Sequence, residues 1–268
     1  MPNINLQEIL KETEIATKIV GTFLKNEIQK ISSSDVVTKS LNSLVTYVDK
    51  TAEEKLVKAL SKILPEAGFI TEEGTSTKEG EQYNWIIDPL DGTTNYIHGL
   101  PIYSVSIALS SKDEVVIGVV YVPVLDECFS AYKGGGAFLN AVSISVSKNE
   151  TLADSLVATG FPYFDYARMN DYTEILKEFM QKTRGIRRMG SAAVDLAYVA
   201  CGRFDSFYEY NLNAWDVAAG SLLVEEAGGI VSTFFNKSDF VFGKEIVASS
   251  GEVHLDVLEI IQKHFKPI

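Results

Sequence analysis

Two acids three positions apart, Asp88 and Asp91, bracket Pro89 and Leu90 at the end of the apolar run Trp85-Ile86-Ile87, and Gly92-Thr93-Thr94 follows. Pro89 has no N–H to give a sheet ladder, so the strand is expected to end there. The Gly-Thr-Thr stretch can then turn and open a helix, whose free N–H groups favour an anion such as phosphate. Carboxylates suited to a cation thus stand beside amides suited to phosphate. That combination suggests metal-assisted chemistry on a phosphate ester.

Other acids fall where strands should end or helices begin: Asp49, Glu72 beside Glu73, and Asp216. Each has a structural alternative. Asp49 can cap the helix after it, Glu72 and Glu73 can be solvated turn residues, and Asp216 can complement a helix dipole in a first turn. If Glu72, Asp88, Asp91 and Asp216 converge, their repulsion raises their pKa values unless cations share the site. A donor set of oxygen alone points to a hard ion such as Mg²⁺. Zinc is disfavoured, because His98, His254 and His264 show no ligand spacing and Cys128 and Cys201 are isolated. Other phosphatase and hydrolase chemistries also lack their residues. There is no D-x-D pair at this site, no arginine six positions after either cysteine, and no G-x-S-x-G elbow. Direct attack by a metal-activated water remains.

The elements that must carry these residues follow from periodicity. Leu6 to Ile28 has apolar residues at helical spacing, and Ser32-Ser33-Ser34 breaks it. Residues 35–43 read as a mobile polar link, and Leu44 to Val48 as an extended piece ending at Asp49. Thr51-Ala52-Glu53-Glu54 has capping-box spacing for a helix stopped by Pro65. Strands are expected at 68–71, 85–88, 103–109, 115–121 and 128–132, the last three as consecutive antiparallel strands. Lys133-Gly134-Gly135-Gly136 is read as a turn, since no GK[ST] ending or helix follows it. Beyond it, strands at 156–159, 204–210 and 246–248 and an extended piece at 185–189 alternate with helices at 171–182, 191–202 and 214–227. Ser250 is expected to cap a last helix. The mixture implies layered sheets between helices.

Bulk properties bound the rest. A chain of 268 residues, 46% hydrophobic and 22% charged, can bury a large core. It is expected to form one domain over 1–268, with approximate lobes 1–150 and 151–268. With 24 basic against 36 acidic residues the formal charge is -12, which disfavours a nucleic-acid-coating role. Met1 to Leu10 does not read as a signal peptide, and the apolar stretch Val115 to Val122 is too short to span a bilayer. A cytoplasmic protein with neither nucleic-acid nor membrane partner is the expectation.

Asp88-Pro89-Leu90-Asp91-Gly92-Thr93 resembles the first signature of the inositol monophosphatase family. Trp215-Asp216-Val217-Ala218-Ala219-Gly220, with Glu226-Ala227-Gly228-Gly229 after it, resembles the second. Glu72-Glu73 and Gly190-Ser191-Ala192-Ala193 also fit, so the resemblance runs along nearly the whole chain. It implies an α/β (α+β) fold, the layered αβαβα sandwich shared with fructose-1,6-bisphosphatase, usually as a homodimer and often inhibited by Li⁺. Two to three Mg²⁺ ions are implied: one on Glu72, Asp88 and the carbonyl of Leu90, a second on Asp88, Asp91 and Asp216, a weaker third on Glu72 and water. Thr93, bonded to Asp49, would orient and deprotonate the attacking water. The amides of Gly92 and Thr93 would cradle phosphate. The amides after Gly190, around Ser191 and Ala192, and the carboxylate of Glu209 would contact substrate hydroxyls. Residues 39–43 align with the family's mobile metal-gating loop. The implied reaction is hydrolysis of inositol-1-phosphate or a related polyol or sugar phosphate. Fructose-1,6-bisphosphate and 3′-phosphoadenosine-5′-phosphate are alternative substrates, and a non-catalytic binding relative is an alternative of another class.

Overall fold

The computed structural model describes residues 4–28, 30, 37–40, 43–162 and 166–267. The helices are α1 (Leu6–Glu27), α2 (Tyr47–Ile63), α3 (Thr93–Ile97), α4 (Met169–Lys182), α5 (Ala192–Ala200), α6 (Ala214–Glu226) and α7 (His254–His264). A hairpin of β1 (Val37–Ser40) and β2 (Ser43–Val45) stands apart from the two main sheets. The larger sheet has seven strands in chain order: β3 (Gly68–Thr71), β4 (Tyr83–Asp91), β5 (Ser104–Ser111), β6 (Glu114–Val122), β7 (Glu127–Tyr132), β8 (Gly136–Leu139) and β9 (Val142–Ser143). Only β3 and β4 run parallel in it. The smaller sheet comprises β10 (Leu156–Thr159), β11 (Gly185–Arg187), β12 (Ser206–Tyr210), β13 (Ile230–Ser232) and β14 (Glu245–Ser249). Its strand order is β11-β10-β12-β14-β13.

The layers follow from the two-residue period of the strands. In β4, Trp85 and Ile87 join a core with Leu10, Val20 and Leu24 of α1 and Val48, Leu56 and Leu60 of α2. Ile86, between them, faces the other way, into a core with α5, α6 and the inner face of the smaller sheet. The outer face of that sheet packs Val157, Tyr208 and Val247 against Tyr172, Ile175 and Phe179 of α4 and Val257 and Ile261 of α7. The sequence of layers is therefore αβαβα, as the family resemblance implied. A one-residue slip of β4 would exchange its two cores and misplace Asp88, so burial on both faces fixes the register of the site.

The central layer depends on small side chains. A Cβ at Gly118 of β6 would lie 2.6 Å from the Ala219 carbonyl oxygen of α6, and one at Gly220 would lie 2.5 Å from Leu196 Cβ of α5. Helix α6 can sit between sheet and helix only because both positions are glycine. This seats Asp216, in its first turn, beneath the end of β4.

Several expected boundaries are corrected. Pro89 does not end its strand: β4 continues to Asp91, with a register shift between Asp88 and Asp91. The proline sits at the irregularity, where no ladder N–H is needed. Tyr47 and Val48 are helical rather than extended, and α2 starts a turn before Thr51. The capping box is Thr46 with Asp49, not Thr51 with Glu54. Ser250 makes no capping bond; a 3₁₀ turn, Gly251–Val253, intervenes before α7. The extended piece expected from Leu44 is met only by β2 (Ser43–Val45), and strands β1, β8, β9 and β13 were not expected from periodicity. Residues 31–36 and 41–42, including Ser32-Ser33-Ser34 and part of the proposed gating loop, lie outside the described residues. Residues 37–40, read as part of the mobile link, are β-strand. Lys133-Gly134-Gly135-Gly136 is a turn as read, and the Glu226 carboxylate accepts from the amides of Gly134 and Gly136 at 2.8 Å each.

Candidate active site

One cavity gathers the chemically suggestive residues. Glu72, Asp88, Leu90, Asp91, Gly92, Thr93, Gly190, Ser191, Ala192, Glu209 and Asp216 all line it. Asp49 stands behind this wall and reaches it through Thr93.

The irregularity in β4 explains how two acids with odd spacing share a side. Residues three apart on a regular strand face opposite ways. Here Asp88 pairs with Ser106 and Asp91 with Ser104, so three steps on β4 match two on β5. The extra residue turns both carboxyls to the cavity. Gly92 then closes the turn at φ 93°, a left-handed conformation that a side chain would strain. A Cβ there would also lie 3.1 Å from the carbonyl oxygen of Ile102 and 3.2 Å from that of Gly190. Glycine is needed at 92 on both counts.

Each acid is held by local bonds. Leu90 N donates to Asp88 Oδ1 at 2.8 Å. Asp91 Oδ2 accepts from Ser191 Oγ at 2.6 Å and from Ala193 N at 2.8 Å, which joins the first signature to the start of α5. Asn213 N donates to Asp216 Oδ2 at 2.7 Å. Asp49 both caps its helix and reaches Thr93. Its Oδ2 accepts from Thr46 N at 2.9 Å, and its Oδ1 lies 3.2 Å from the Thr93 hydroxyl. That hydroxyl is also 3.1 Å from the carbonyl oxygen of Leu90.

Electrostatics set these groups apart from ordinary surface acids. Burial, then the charges of Glu72, Asp91 and Asp216, pushes Asp88 well above the usual carboxylate range. Burial raises Asp91 to about 6, although bonds from Ser191 and Ala193 and the charge of Arg188 act to lower it. Asp216 is raised by burial and by the charges of Asp91 and Glu72. Glu209 is raised by burial and by Asp216. Asp49 is raised by burial against the opposing bonds from Thr46 and Thr93.

These residues fit a hard cation by donor chemistry. They offer carboxylate and carbonyl oxygen only, and each buried acid raises the proton affinity of its neighbours, a penalty that a divalent ion would reverse. Among the described residues, no three acid, histidine or cysteine side chains close into a preformed ligand cluster. The acids stand around the cavity.

Sequence reasoning did not find several contributors. Glu53, fully buried in α2, accepts from the amides of Glu73 and Thr75 at 2.8 Å each and so ties down the loop that carries Glu72. Asn95 Nδ2 donates to the carbonyls of Ile102 at 2.6 Å and Met189 at 2.8 Å, stitching α3 to the segment before α5. Arg188, Phe161 and Asp195 line the cavity as well. His98 is the C-cap of α3. Cys128 and Cys201 are free thiols, as their isolated contexts indicated. Among the described residues no helix is long and apolar enough to cross a membrane.

A sequence profile described as "Inositol monophosphatase family" matches residues 5–265. A Pseudomonas aeruginosa protein named "Nus factor SuhB" is 40% identical over 267 residues, covering 98% of each chain. An "Inositol-1-monophosphatase" from Mesorhizobium japonicum is 39% identical over 244 residues, covering 91% of this chain and 92% of its own. Among solved structures, the extragenic suppressor protein suhB of Bartonella henselae superposes with a TM-score of 0.90 at 39% identity. That match covers 96% of this chain and 99% of the other.

Proposed function

From the premise that this chain belongs to the inositol monophosphatase family, we propose that it is a Mg²⁺-dependent phosphomonoesterase acting on inositol-1-phosphate or a related polyol phosphate. The observation that supports this most is the meeting of Glu72, Asp88, Asp91 and Asp216 in one cavity with the Gly92–Thr93 turn.

Glu72, Asp88 and the Leu90 carbonyl would hold one Mg²⁺, and Asp88, Asp91 and Asp216 a second; a weaker third would rest on Glu72. When bound, such ions polarise phosphoryl oxygens and make hydroxide available from water near neutral pH. The protein's own groups do the rest. Thr93 orients the attacking water, and Asp49, bonded to the Thr93 hydroxyl, receives the proton that passes through it. The amides of Gly92 and Thr93 hold phosphate at the start of α3. Ser191 and Ala193, by fixing Asp91, keep its carboxylate from following the substrate. The amides around Ser191 and Ala192 and the Glu209 carboxylate take the hydroxyls of the alcohol. The whole chain acts as one domain in this reading, since helices α5 and α6 share a core with both sheets. A homodimer in the cytoplasm and sensitivity to Li⁺ accompany it.

The test is phosphate release from inositol-1-phosphate, fructose-1,6-bisphosphate and 3′-phosphoadenosine-5′-phosphate, with Mg²⁺ and with chelator. Asp91→Asn should lose at least about a thousandfold in kcat/KM, matching the several kcal/mol that metal stabilisation supplies. It should keep the wild-type fold by circular dichroism. Wild-type-like turnover in that variant, or turnover indifferent to chelator, would sink the reading. Preference for fructose-1,6-bisphosphate or 3′-phosphoadenosine-5′-phosphate would keep the reaction and replace the substrate.

A further inference from the structure

Asp195 lies in the first turn of α5 and is 1% exposed. Its Oδ1 has no hydrogen-bond partner. A buried carboxyl oxygen left unpaired costs free energy, and a small apolar residue would fill this helix wall without that cost. The residue is nevertheless part of the cavity lining, together with Glu209 of β12. The two acids are close enough that the charge of Glu209 acts on Asp195. Room for Glu209 is made by a missing side chain: a Cβ at Gly160 would lie 2.0 Å from Glu209 Oε2.

Taking the phosphatase reading as its basis, we propose that Asp195 is a substrate-recognition residue, forming with Glu209 a two-carboxyl wall for adjacent hydroxyls of the esterified alcohol. A hydroxyl is a donor with no charge to bury, and neighbouring carboxyl oxygens accept from two of them at once. The same wall opposes a second phosphate, whose oxygens could only face acceptors. Arg188 is the one lysine or arginine lining the cavity among the described residues. The wall therefore selects a neutral, vicinally hydroxylated alcohol over a bisphosphate.

The experiment compares Asp195→Ala and Asp195→Asn with wild type on inositol-1-phosphate and on p-nitrophenyl phosphate, an ester without hydroxyls. Loss of the hydrogen bond should lower the ratio of kcat/KM values, polyol ester over aryl ester, by roughly threefold to tenfold in Asp195→Ala. The drop should fall chiefly on KM for the polyol ester, with Asp195→Asn intermediate because it retains one acceptor. A structural role would instead lower the thermal midpoint and depress both esters alike, and that outcome, or an unchanged ratio, overturns the assignment. Calorimetric titration of inositol-1-phosphate in Ca²⁺ separates this from the phosphatase reading. If wild type hydrolyses neither ester, that reading fails. Asp195 is then supported by affinity at least about threefold weaker in Asp195→Ala, and overturned by equal affinities or by no binding to wild type.

Discussion

Glu53 offers a sharp test of how the site is held. It lies one helical turn after Asp49 on α2, fully buried, and its two carboxylate oxygens accept separately from Glu73 N and Thr75 N at 2.8 Å each. One helix face thus positions Thr93 through Asp49 and the Glu72 loop through Glu53. Replacing Glu53 by Gln keeps the shape but turns one acceptor into an N–H donor that faces a backbone N–H. One charge-assisted bond is lost, the other becomes neutral, and a buried amide is left unsatisfied, for a cost of about 2–4 kcal/mol. At roughly 2–4 °C per kcal/mol for a protein of this size, the midpoint should fall by about 4–16 °C. Released from its clamp, the loop should also let Glu72 stray, so the Mg²⁺ concentration for half-maximal activity should rise by roughly ten- to a hundredfold, as for lost outer-shell partners of metal ligands. Calorimetry and a Mg²⁺ titration of turnover read the two effects. A Glu53→Gln variant with wild-type stability and wild-type Mg²⁺ requirement would refute the clamp. A drop in stability with unchanged Mg²⁺ requirement would leave Glu53 a packing residue only.

Two other outcomes are expected. Filling the acid cavity should stabilise the fold: at a hundredfold excess over Kd, Mg²⁺ should add about 2.7 kcal/mol and raise the midpoint by roughly 5–10 °C, reversed by chelator, and a flat midpoint across the titration would count against the ligand set. His254 is 2% exposed, within 3.0 Å of Ser232 Oγ and 2.7 Å of Ser249 Oγ, and burial lowers its pKa from 6.5 to about 4. The folded protein therefore binds fewer protons than the unfolded chain between those values, so this stability is present above pH 6.5 and lost as pH falls toward 4. A fall from 6.5 to about 4 is worth about 3 kcal/mol. Chemical denaturation of wild type and His254→Gln should show the difference between them shrinking by that order across the window, whereas parallel curves would be evidence against it.

The layered architecture and the cavity were legible because both rest on strong local patterns. Alternation in Trp85-Ile86-Ile87 places neighbouring residues in two cores, and every site residue named from the sequence except Asp49 lines the cavity. What escaped notice depends on partners remote in the chain. Pro89 looked like a strand end because a missing N–H usually is one; only pairing with β5 shows that the irregularity absorbs it. Thr46 was hidden inside a β-branched run that read as extended, and its bond to Asp49 overrides that propensity. Asp195 gave no signal, since an acid in the first turn of a helix is common for dipole reasons alone. Glu53 was read as part of a capping box one turn too late, and its real partners are 20 and 22 positions away.

The acids of the site share a device that residue type alone does not disclose. Asp88, Asp91 and Asp216 each accept from nearby backbone or hydroxyl donors: Leu90 N on Asp88 Oδ1, Ser191 Oγ and Ala193 N on Asp91 Oδ2, Asn213 N on Asp216 Oδ2. Such bonds restrict a short side chain's rotamer, so less ordering is needed when a ligand arrives. Asp49 divides its oxygens, one on the Thr46 cap and one toward Thr93. A structural bond and the proposed chemical role of these acids are thus compatible. In Asp49 and Asp216 the carboxylate that caps its helix is also held in place by that bond. By the same logic Glu226, the trailing acid of the second signature, has both oxygens committed to the Gly134 and Gly136 amides and none turned to the cavity. It serves as a latch between α6 and the sheet, and the division of its bonds separates its role from that of Asp216.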